Sequence, residues 1–472
     1  MFLARLLVLF SLVCISCAHS SFEQKQLKHA LNFATSNRLE LEILLQHYTY
    51  DSLKLEAAKF LIRNMPHCYS YQQGGEMDSV KRVRTYYSPF GQIDQTYARR
   101  WGHYTYRNLP KIYDAHIITA EYLIDNIDRA FDNWQKRPWN RSLSFEDFCE
   151  YLLPYRIGDE PLEEWRELYE KKYGYLLDSI YKGSDVVEAA NLVSRHLQEP
   201  VFIYCEDFEL PHIGPRYLFS HRYGSCVDAA DIVTYAFRAV GIPCMEDTDA
   251  RGGHVWNVVR DTTGRDVPIW YIASEAVRGS RDTGGYKRGK VYRPMYGFQE
   301  EKAAHLGDDW KSMPLLFYHP YMKDVSYAYY PDTLRILTGI PDDEVCYLAH
   351  FHEAHWWSCA CARSASGKME IPNLESELVY LPMKYTKGNY YPSGFPFWFA
   401  GGEINTFLPD WEKTVKVRLY RKYPVYGWLR SFMGHVVGGT FEGSMTKNFE
   451  DGKTLYEIAD TPVIARNRIF LN

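Results

Sequence analysis

The chain has no excess of positive charge, since 54 Lys and Arg residues stand against 59 Asp and Glu residues and give a formal net charge of -5. A nucleic-acid partner is therefore not expected, because such proteins usually carry a basic patch. Beyond the N-terminal segment, no stretch is long and apolar enough to span a bilayer. Internal repeats and low-complexity segments are also absent from the sequence.

The ten cysteines do not form a recognisable framework. Those outside the N-terminal segment are scattered, without the regular spacing of small disulfide-stabilised domains. They are Cys68, Cys149, Cys205, Cys226, Cys244, Cys346, Cys359 and Cys361. Cys359 and Cys361 lack the second cysteine pair that a zinc site needs. We expect free thiols, and we predict neither a metal nor a cofactor.

What the chain does contain is a globular composition over 472 residues, with 46% hydrophobic and 16% aromatic residues. This length predicts two or three domains. Much of the aromatic content is tyrosine, which is favoured where a surface is apolar and hydrogen-bonding at once. Contact with a carbohydrate or a peptide is one interpretation of that content.

The first residues predict a targeting segment. Arg5 precedes the apolar run Leu6–Val13, which is too short for a permanent membrane helix. A small residue stands before Cys17, an arrangement that resembles a bacterial lipobox. We predict a lipoprotein signal peptide over 1–16, a lipid on Cys17, and a place in the bacterial cell envelope, in the periplasm or at the cell surface. The alternative is ordinary cleavage near Ala18.

The rest of the chain predicts an α+β protein with three regions. Residues 17–185 carry helical stripes of apolar residues, with helices predicted over 117–134, after a cap at Ser144 and over 160–173. Residues 186–320 mix strands with helices, one of them predicted over 186–197. Residues 335–472 contain short alternating runs between Gly-, Pro- and Asn-rich turns, the pattern of an antiparallel β-sandwich.

One helix start in the middle region has the chemistry of a nucleophile. Ser225 is a good N-cap, and Asp228 stands where a capping-box acid reaches back to the cap amide. Cys226 then becomes the first helical residue, where the positive end of the helix dipole favours a thiolate. Gly241 and Pro243 end the helix.

A strand led by His254 follows. Residues 255–260 and 267–272 flank a turn at 262–264 and predict a buried hairpin. A thiol at a helix start and an imidazole at a strand start are a nucleophile and a base that lie close in sequence. Taken alone, such a pair is more often a small core residue and a histidine with structural hydrogen bonds.

The residues around this pair resemble the transglutaminase-like superfamily. The matching stretches are Gly224-Ser225-Cys226, Phe237-Arg238-Ala239-Val240-Gly241-Ile242-Pro243 and Gly253-His254-Val255-Trp256-Asn257. The flanking regions are similar to those of large bacterial lipoproteins that carry this core. The resemblance implies a papain-like catalytic fold, with Cys226 as the nucleophile, His254 as the base and a third, acidic residue downstream.

The family usually has Asp as that third residue, and this sequence has none in the following strand. Two hairpin geometries remain open. A two-residue loop pairs His254 with Ala273 and brings Glu275 to its face, whereas a three-residue loop pairs His254 with Ile272 and brings Ser274. We choose Glu275, because a carboxylate stabilises an imidazolium better than a hydroxyl does.

Two further clusters have simple structural interpretations. His350, His352 and His355 alternate as metal ligands could, but packing histidines are the simpler interpretation. The aromatic residues between 390 and 399 could contact carbohydrate through the C-terminal region. A sandwich core and its rim account for them as well.

The predicted function is that of a cysteine amidohydrolase or protease, which cleaves or transfers an amide acyl group of a peptide or glycopeptide through a Cys226 thioester. The sequence does not separate hydrolysis from transfer to an amine. The alternative is a lipoprotein with an inactive core that binds a glycan or a protein at the cell surface.

Overall fold

The computed structural model describes most of the chain, and every structural statement below refers to that part. The described residues are 21–87, 105–204, 210–251, 253–272, 275–281, 287–300, 313–337, 341–342, 344–352, 355–410, 412–413, 440–446 and 450–457. The predicted signal peptide, Cys17, Cys205, Ala273 and Ser274 lie outside them.

The described part combines helices with antiparallel strands, as predicted for an α+β protein. Its helices after a first helical stretch at 21–33 are α1 (Arg38–His47), α2 (Ser52–Asn64), α3 (Gly75–Tyr87), α4 (Ala120–Lys136), α5 (Phe145–Tyr151), α6 (Arg166–Tyr175), α7 (Val186–Leu197), α8 (Pro215–Ser220), α9 (Cys226–Ala239) and α10 (Leu315–Tyr318). None of the described helices is long and apolar enough to cross a bilayer.

The strands of the N-terminal two thirds are β1 (Tyr69–Tyr71), β2 (Lys111–Tyr113), β3 (Ile203–Tyr204), β4 (Tyr223–Gly224), β5 (Cys244–Asp249), β6 (Val255–Arg260), β7 (Asp266–Ile269), β8 (Val291–Pro294) and β9 (Met322–Asp324). Five of them form an antiparallel sheet in the order β7-β6-β5-β8-β9. This sheet and helix α9 position the candidate site.

The strands of the C-terminal region are β10 (Asp332–Leu337), β11 (Val345–His352), β12 (His355–Arg363), β13 (Lys368–Leu374), β14 (Leu378–Thr386), β15 (Asn389–Pro392), β16 (Phe397–Ala400), β17 (Glu403–Thr406), β18 (Thr440–Gly443) and β19 (Lys453–Glu457). A six-stranded antiparallel sheet runs β12-β11-β14-β16-β17, with β15 on β14. Strands β10 and β13 pair separately, and so do β18 and β19.

The chain divides into two compact units. Within the described residues, the first unit falls in Met1–Tyr286, Val291–Gly307 and Tyr318–Tyr329, and the second takes the remainder. The predicted helical region and most of the predicted core therefore belong to one unit, whereas residues 287–290 and 313–317 fall in the second. A reason is visible at the C-terminal end of α9, where the Trp139 indole and the Asn140 amide both donate to the Gly241 carbonyl, at 2.9 and 3.0 Å.

Helix α9 is buried over almost its whole length, so its polar side chains need partners within the protein. Thr234 donates to Glu246 on β5 at 2.7 Å. Arg238 donates to main-chain carbonyls that include those of Tyr151 and Cys244. The helix is thereby fixed along the sheet by hydrogen bonds as well as by apolar packing.

The opposite face of the sheet holds a buried ion network. Arg293 on β8 is 2% exposed and binds Asp247 on β5 through two nitrogens, one of them at 2.9 Å. A third nitrogen binds Asp266 on β7 at 2.8 Å. The Tyr329 hydroxyl also donates to Asp247. Strands β5, β7 and β8 are therefore joined at a single guanidinium group.

Several predicted elements are confirmed, and two boundaries are wrong. Ser144 caps α5, and α7 spans Val186–Leu197 as expected. The helix predicted over 160–173 begins only at Arg166, because the Glu160 carboxylate accepts the amides of Ile157 and Gly158 and forms a loop. The helix predicted over 117–134 runs instead over α4, after its N-cap Thr119.

In the second unit, the aromatic cluster splits between the two sides of β16. Phe397 and Phe399 are buried, whereas Trp398 is 38% exposed. His350 is buried within β11, and His352 lies opposite His355 across the hairpin. Among the described residues, no group of three potential ligands could hold a metal ion.

Replacing Arg293 with Met should lower the free energy of unfolding of the first unit by about 3–5 kcal/mol, because two buried carboxylates lose their partner. Urea denaturation followed by tryptophan fluorescence measures the change. The matched control is Arg38→Met, which removes an exposed pair with Glu42 on α1 and should cost about 0.5 kcal/mol or less. Equal losses in both variants would contradict the assigned role of the network.

Candidate functional site

Cys226 is the first residue of α9, as the sequence predicts. The capping box is formed: the Ser225 hydroxyl accepts the Val227 amide at 3.3 Å, and the Asp228 carboxylate accepts the Ser225 amide at 2.7 Å. Cys226 is 6% exposed and forms no disulfide. Its sulfur therefore lies at the positive end of a well-capped helix, largely shielded from water.

The glycine before the cap is required by this geometry. Gly224 has a φ of +152°, a conformation that residues with a side chain rarely adopt. A Cβ atom at this position would lie 2.3 Å from a carboxylate oxygen of Asp228. The sequence Gly-Ser-Cys thus combines a backbone constraint, a cap and a thiol in three successive residues.

Helix α9 runs parallel to β6, and hydrogen bonds fix the relative position of the two elements along their common direction. The Asn257 amide donates to the Ala230 carbonyl at 3.0 Å and to the Thr234 hydroxyl at 2.9 Å. His254 precedes Asn257 by three residues, about 10 Å of strand. Cys226 precedes the contacted turn of α9 by about 6–12 Å of helix. Cys226 and His254 consequently lie at the same end of the helix–strand pair.

The His254 imidazole is 6% exposed and lies among indole rings. Its centroid is 4.5 Å from the Trp270 ring, edge to face, and 5.6 Å from the Trp256 ring. Trp256 points to the face of the sheet away from α9, where its nitrogen donates to Tyr329 at 2.9 Å. Residues 254 and 256 are two apart, so their side chains lie on the same face of the sheet, which is the face away from α9. A contact between His254 and Cys226 therefore has to form past the end of the sheet.

Asp249 was not identified from the sequence, and it organises the turn that carries His254. Its amide donates to the His254 carbonyl at 3.3 Å, so the two residues face each other across β5 and β6. One carboxylate oxygen accepts the amides of Arg251 and Gly253 at 3.0 and 2.9 Å. The other oxygen accepts the Arg251 guanidinium. Asp249 is 1% exposed and holds this turn rigidly.

The hairpin after His254 has the three-residue loop. The two-residue loop, on which the choice of Glu275 depended, is therefore wrong. Arg260 pairs with Asp266, and the Asp261 amide donates to Arg265 at 2.8 Å. Asp261 favours this loop because its carboxylate accepts the Thr263 amide at 2.8 Å. Continued towards the strand ends, this register places Ile272 opposite His254.

Glu275 itself is bound elsewhere. Its carboxylate accepts the Arg195 guanidinium of α7 at 2.6 Å, and both side chains are more than half exposed. The structure therefore does not bring Glu275 to His254. Ser274, the alternative for the third position, lies outside the described residues.

A second imidazole, which is bound to a carboxylate of α9, was also missed. His212 binds Asp231 through Nδ1 at 2.9 Å, and its own amide donates to Asp159 at 2.9 Å. Although burial disfavours an imidazolium, the Asp231 carboxylate raises the pKa of His212 well above its usual value. No local pattern in the sequence links these residues, since α8 and β4 separate them along the chain.

Most of the other described thiols are poor nucleophiles. Burial raises the pKa of Cys68 and of Cys244 to about 12, and that of Cys346 to about 11. Burial also raises the pKa of Cys149. At neutral pH these four groups remain protonated thiols, which neither attack a carbonyl nor react readily with electrophiles.

Comparison with known proteins adds no assignment: no family model, no curated protein and no solved structure matches this chain.

Replacing Gly224 with Ala should destabilise the first unit by about 2 kcal/mol or more, through backbone strain and a clash with the capping acid. Thermal unfolding measures the loss. The control is Gly264→Ala in the hairpin, where φ is +77° but a Cβ would meet nothing within 4 Å. That variant should lose only about 1 kcal/mol. If both variants lose the same amount, the clash with Asp228 has no consequence.

Proposed function

We propose that this chain is a lipid-anchored thiol enzyme of the transglutaminase-like type, which cleaves or transfers an amide acyl group of a peptide or glycopeptide. The observation that carries the proposal is the position of Cys226: a shielded thiol at the start of a buried, capped helix, level with His254 on the adjacent strand. We also propose that the first unit contains a papain-like core and that the second unit is a β-sandwich.

The proposed reaction proceeds in two steps. His254 takes the thiol proton, and the Cys226 sulfur attacks the amide carbonyl carbon. The amine leaves with the proton from His254, and a thioester remains on Cys226. The Cys226 amide at the helix start is a candidate donor to the oxyanion. Water then attacks the thioester, releases the acid and restores the thiol.

Three features support this assignment. The capping box fixes the backbone of the nucleophile, and the turn held by Asp249 fixes that of the base. The indole of Trp270 covers the imidazole and limits its contact with water. The dry surroundings strengthen any interaction between a thiolate and an imidazolium.

One observation favours the second candidate, a protein with an inactive core that binds a glycan or a protein. The acid predicted to orient His254 is bound to Arg195 instead. The reactivity of Cys226 separates the two candidates.

The test is alkylation of the folded protein with iodoacetamide from pH 4 to 9, with the modified residues mapped by mass spectrometry. We expect Cys226 to react first and to keep its rate at acidic pH, as a thiolate paired with an imidazolium would. Cys68, Cys244 and Cys346 should react only after unfolding. His254→Ala should move the Cys226 rate profile to higher pH.

Controls keep this result specific. Cys226→Ala should remove the modification and any hydrolysis of peptide amides, whereas Glu275→Gln should leave both unchanged, because this carboxylate lies on Arg195. Reaction of Cys226 only at the pH of an ordinary thiol, unaffected by His254→Ala, would favour the inactive core.

Attachment to a membrane is part of the proposal and has its own test. Cys17→Ala should move the protein from the membrane fraction to the soluble fraction, because the lipid on Cys17 is the proposed attachment. Fractionation of the expressing bacteria, with immunodetection of the chain, measures this. Unchanged retention of the variant in membranes would refute the lipid anchor.

A further inference from the structure

The first unit contains a cavity that neither Cys226 nor His254 lines. It has a volume of about 300 Å³ and lies between the Pro154–Asp159 segment, β5 and the start of β9. This volume is at the lower end of the range for small-molecule sites. A smaller cavity, of about 180 Å³, adjoins it at the start of α9, and His212 and Asp159 line both.

Groups of both signs line the larger cavity. Arg156, Arg238 and His212 are basic, and Glu246 and Asp159 are acidic. Every guanidinium nitrogen of the two arginines already donates to a protein atom. An anion would meet two acidic groups here, and a cation would meet three basic groups. The balance of charge therefore favours a neutral ligand.

His212 contributes an unused donor to this wall. Its Nδ1 atom donates to Asp231 at 2.9 Å, and although burial disfavours an imidazolium, the Asp231 carboxylate raises the pKa of His212 well above its usual value. The Nε2 proton has no hydrogen-bond partner among the described residues. A Cβ atom at Gly158 would lie at similar distances, 2.3 to 2.7 Å, from three atoms of the ring. The main chain at Gly158 thus lies over the face of the imidazole and leaves its Nε2 edge open.

Two carboxylates contribute unused acceptors. One Glu246 oxygen accepts the Thr234 hydroxyl at 2.7 Å, and one Asp159 oxygen accepts the His212 amide at 2.9 Å. The second oxygen of each carboxylate has no hydrogen-bond partner in the described part of the chain. Asp231 and Thr234, which bind His212 and Glu246, are three residues apart on α9 and share one face of that helix. The free donor and the free acceptors are thereby brought together.

The tyrosine rings of the wall are packed against other side chains. The Tyr321 ring is stacked on His67 with 3.5 Å between ring centroids and meets Phe298 edge to face, and Lys111 lies 3.8 Å from the centre of the Tyr69 ring. These two rings therefore offer no open face on which a sugar could stack. Flexible apolar surface comes instead from the methionines of the wall, which are Met245, Met295 and Met322.

We propose that this cavity binds a small aliphatic primary carboxamide, with its carbonyl oxygen at Nε2 of His212 and its N–H groups at the free oxygens of Glu246 and Asp159. A primary carboxamide is neutral, and it presents a carbonyl acceptor and two N–H donors. These match one free donor and two free acceptors. A carboxylate has acceptors only, an ammonium group has donors only, and an alcohol has a single donor. The inference is independent of the proposed thiol chemistry, because Cys226 and His254 do not line the cavity.

The test is NMR spectroscopy of the full chain with carbon-13 in its methionine methyl groups, titrated at pH 7 with butyramide, butyrate, n-butylammonium, 1-butanol and D-glucose. Met245 and Met295 report on the cavity, and Met369, which is buried in the second unit, is the control. We expect butyramide to shift both cavity signals saturably and to leave that of Met369 unchanged. Butyrate, n-butylammonium and 1-butanol should each bind about tenfold more weakly, because each leaves polar groups of the wall without a partner.

Several results would overturn the proposal. They are the absence of a saturable shift with butyramide, binding of butyrate, n-butylammonium or 1-butanol as tight as that of butyramide, and tighter binding of D-glucose.

Variants locate the site. Glu246→Gln and Asp159→Asn can each keep the acceptor that is already bound and replace the free oxygen with an NH2 group. Each should weaken butyramide about tenfold, because two donors then face each other. Glu275→Gln, an equal change of charge at the exposed pair with Arg195, should leave the affinity unchanged. If the two cavity variants unfold at the wild-type temperature and bind as tightly as wild type, the assignment is wrong. If either variant is destabilised, the order of ligand affinities of the wild-type chain decides.

Discussion

The burial of α9 is the constraint on which the first unit depends. A helix without water around it needs protein partners for its ends and for most of its polar side chains. The capping box at Ser225 satisfies the start, and Trp139 and Asn140 satisfy the carbonyl of Gly241 at the end. Because those last two partners come from the helical region, that region and the sheet form one unit.

The same constraint concentrates chemistry along α9. Asp231, Thr234 and Arg238 lie on one side of the helix, and each hydrogen-bonds to a residue outside it. The proposed thiol site lies at the N-terminal end of this helix. A rigid helix can support that site because its position is fixed by hydrogen bonds and not by apolar packing alone.

Thiol chemistry at this site needs a charged pair that forms past the end of the sheet. Asp249 holds the turn before His254 there, because one of its carboxylate oxygens accepts the Gly253 amide.

The sequence by itself determined the local features of the site: the cap at Ser225, the thiol at the first helical position and the strand after His254. These depend on neighbouring residues, whose spacing is visible in the chain. Only the tertiary structure decided the loop at 262–264 and the partner of Glu275, because a change of one residue in register reverses the faces of a strand. It alone also revealed the pairing of His212 with Asp231 and the cavity at Glu246, whose members are distant in sequence and meet only when α9 lies on the sheet.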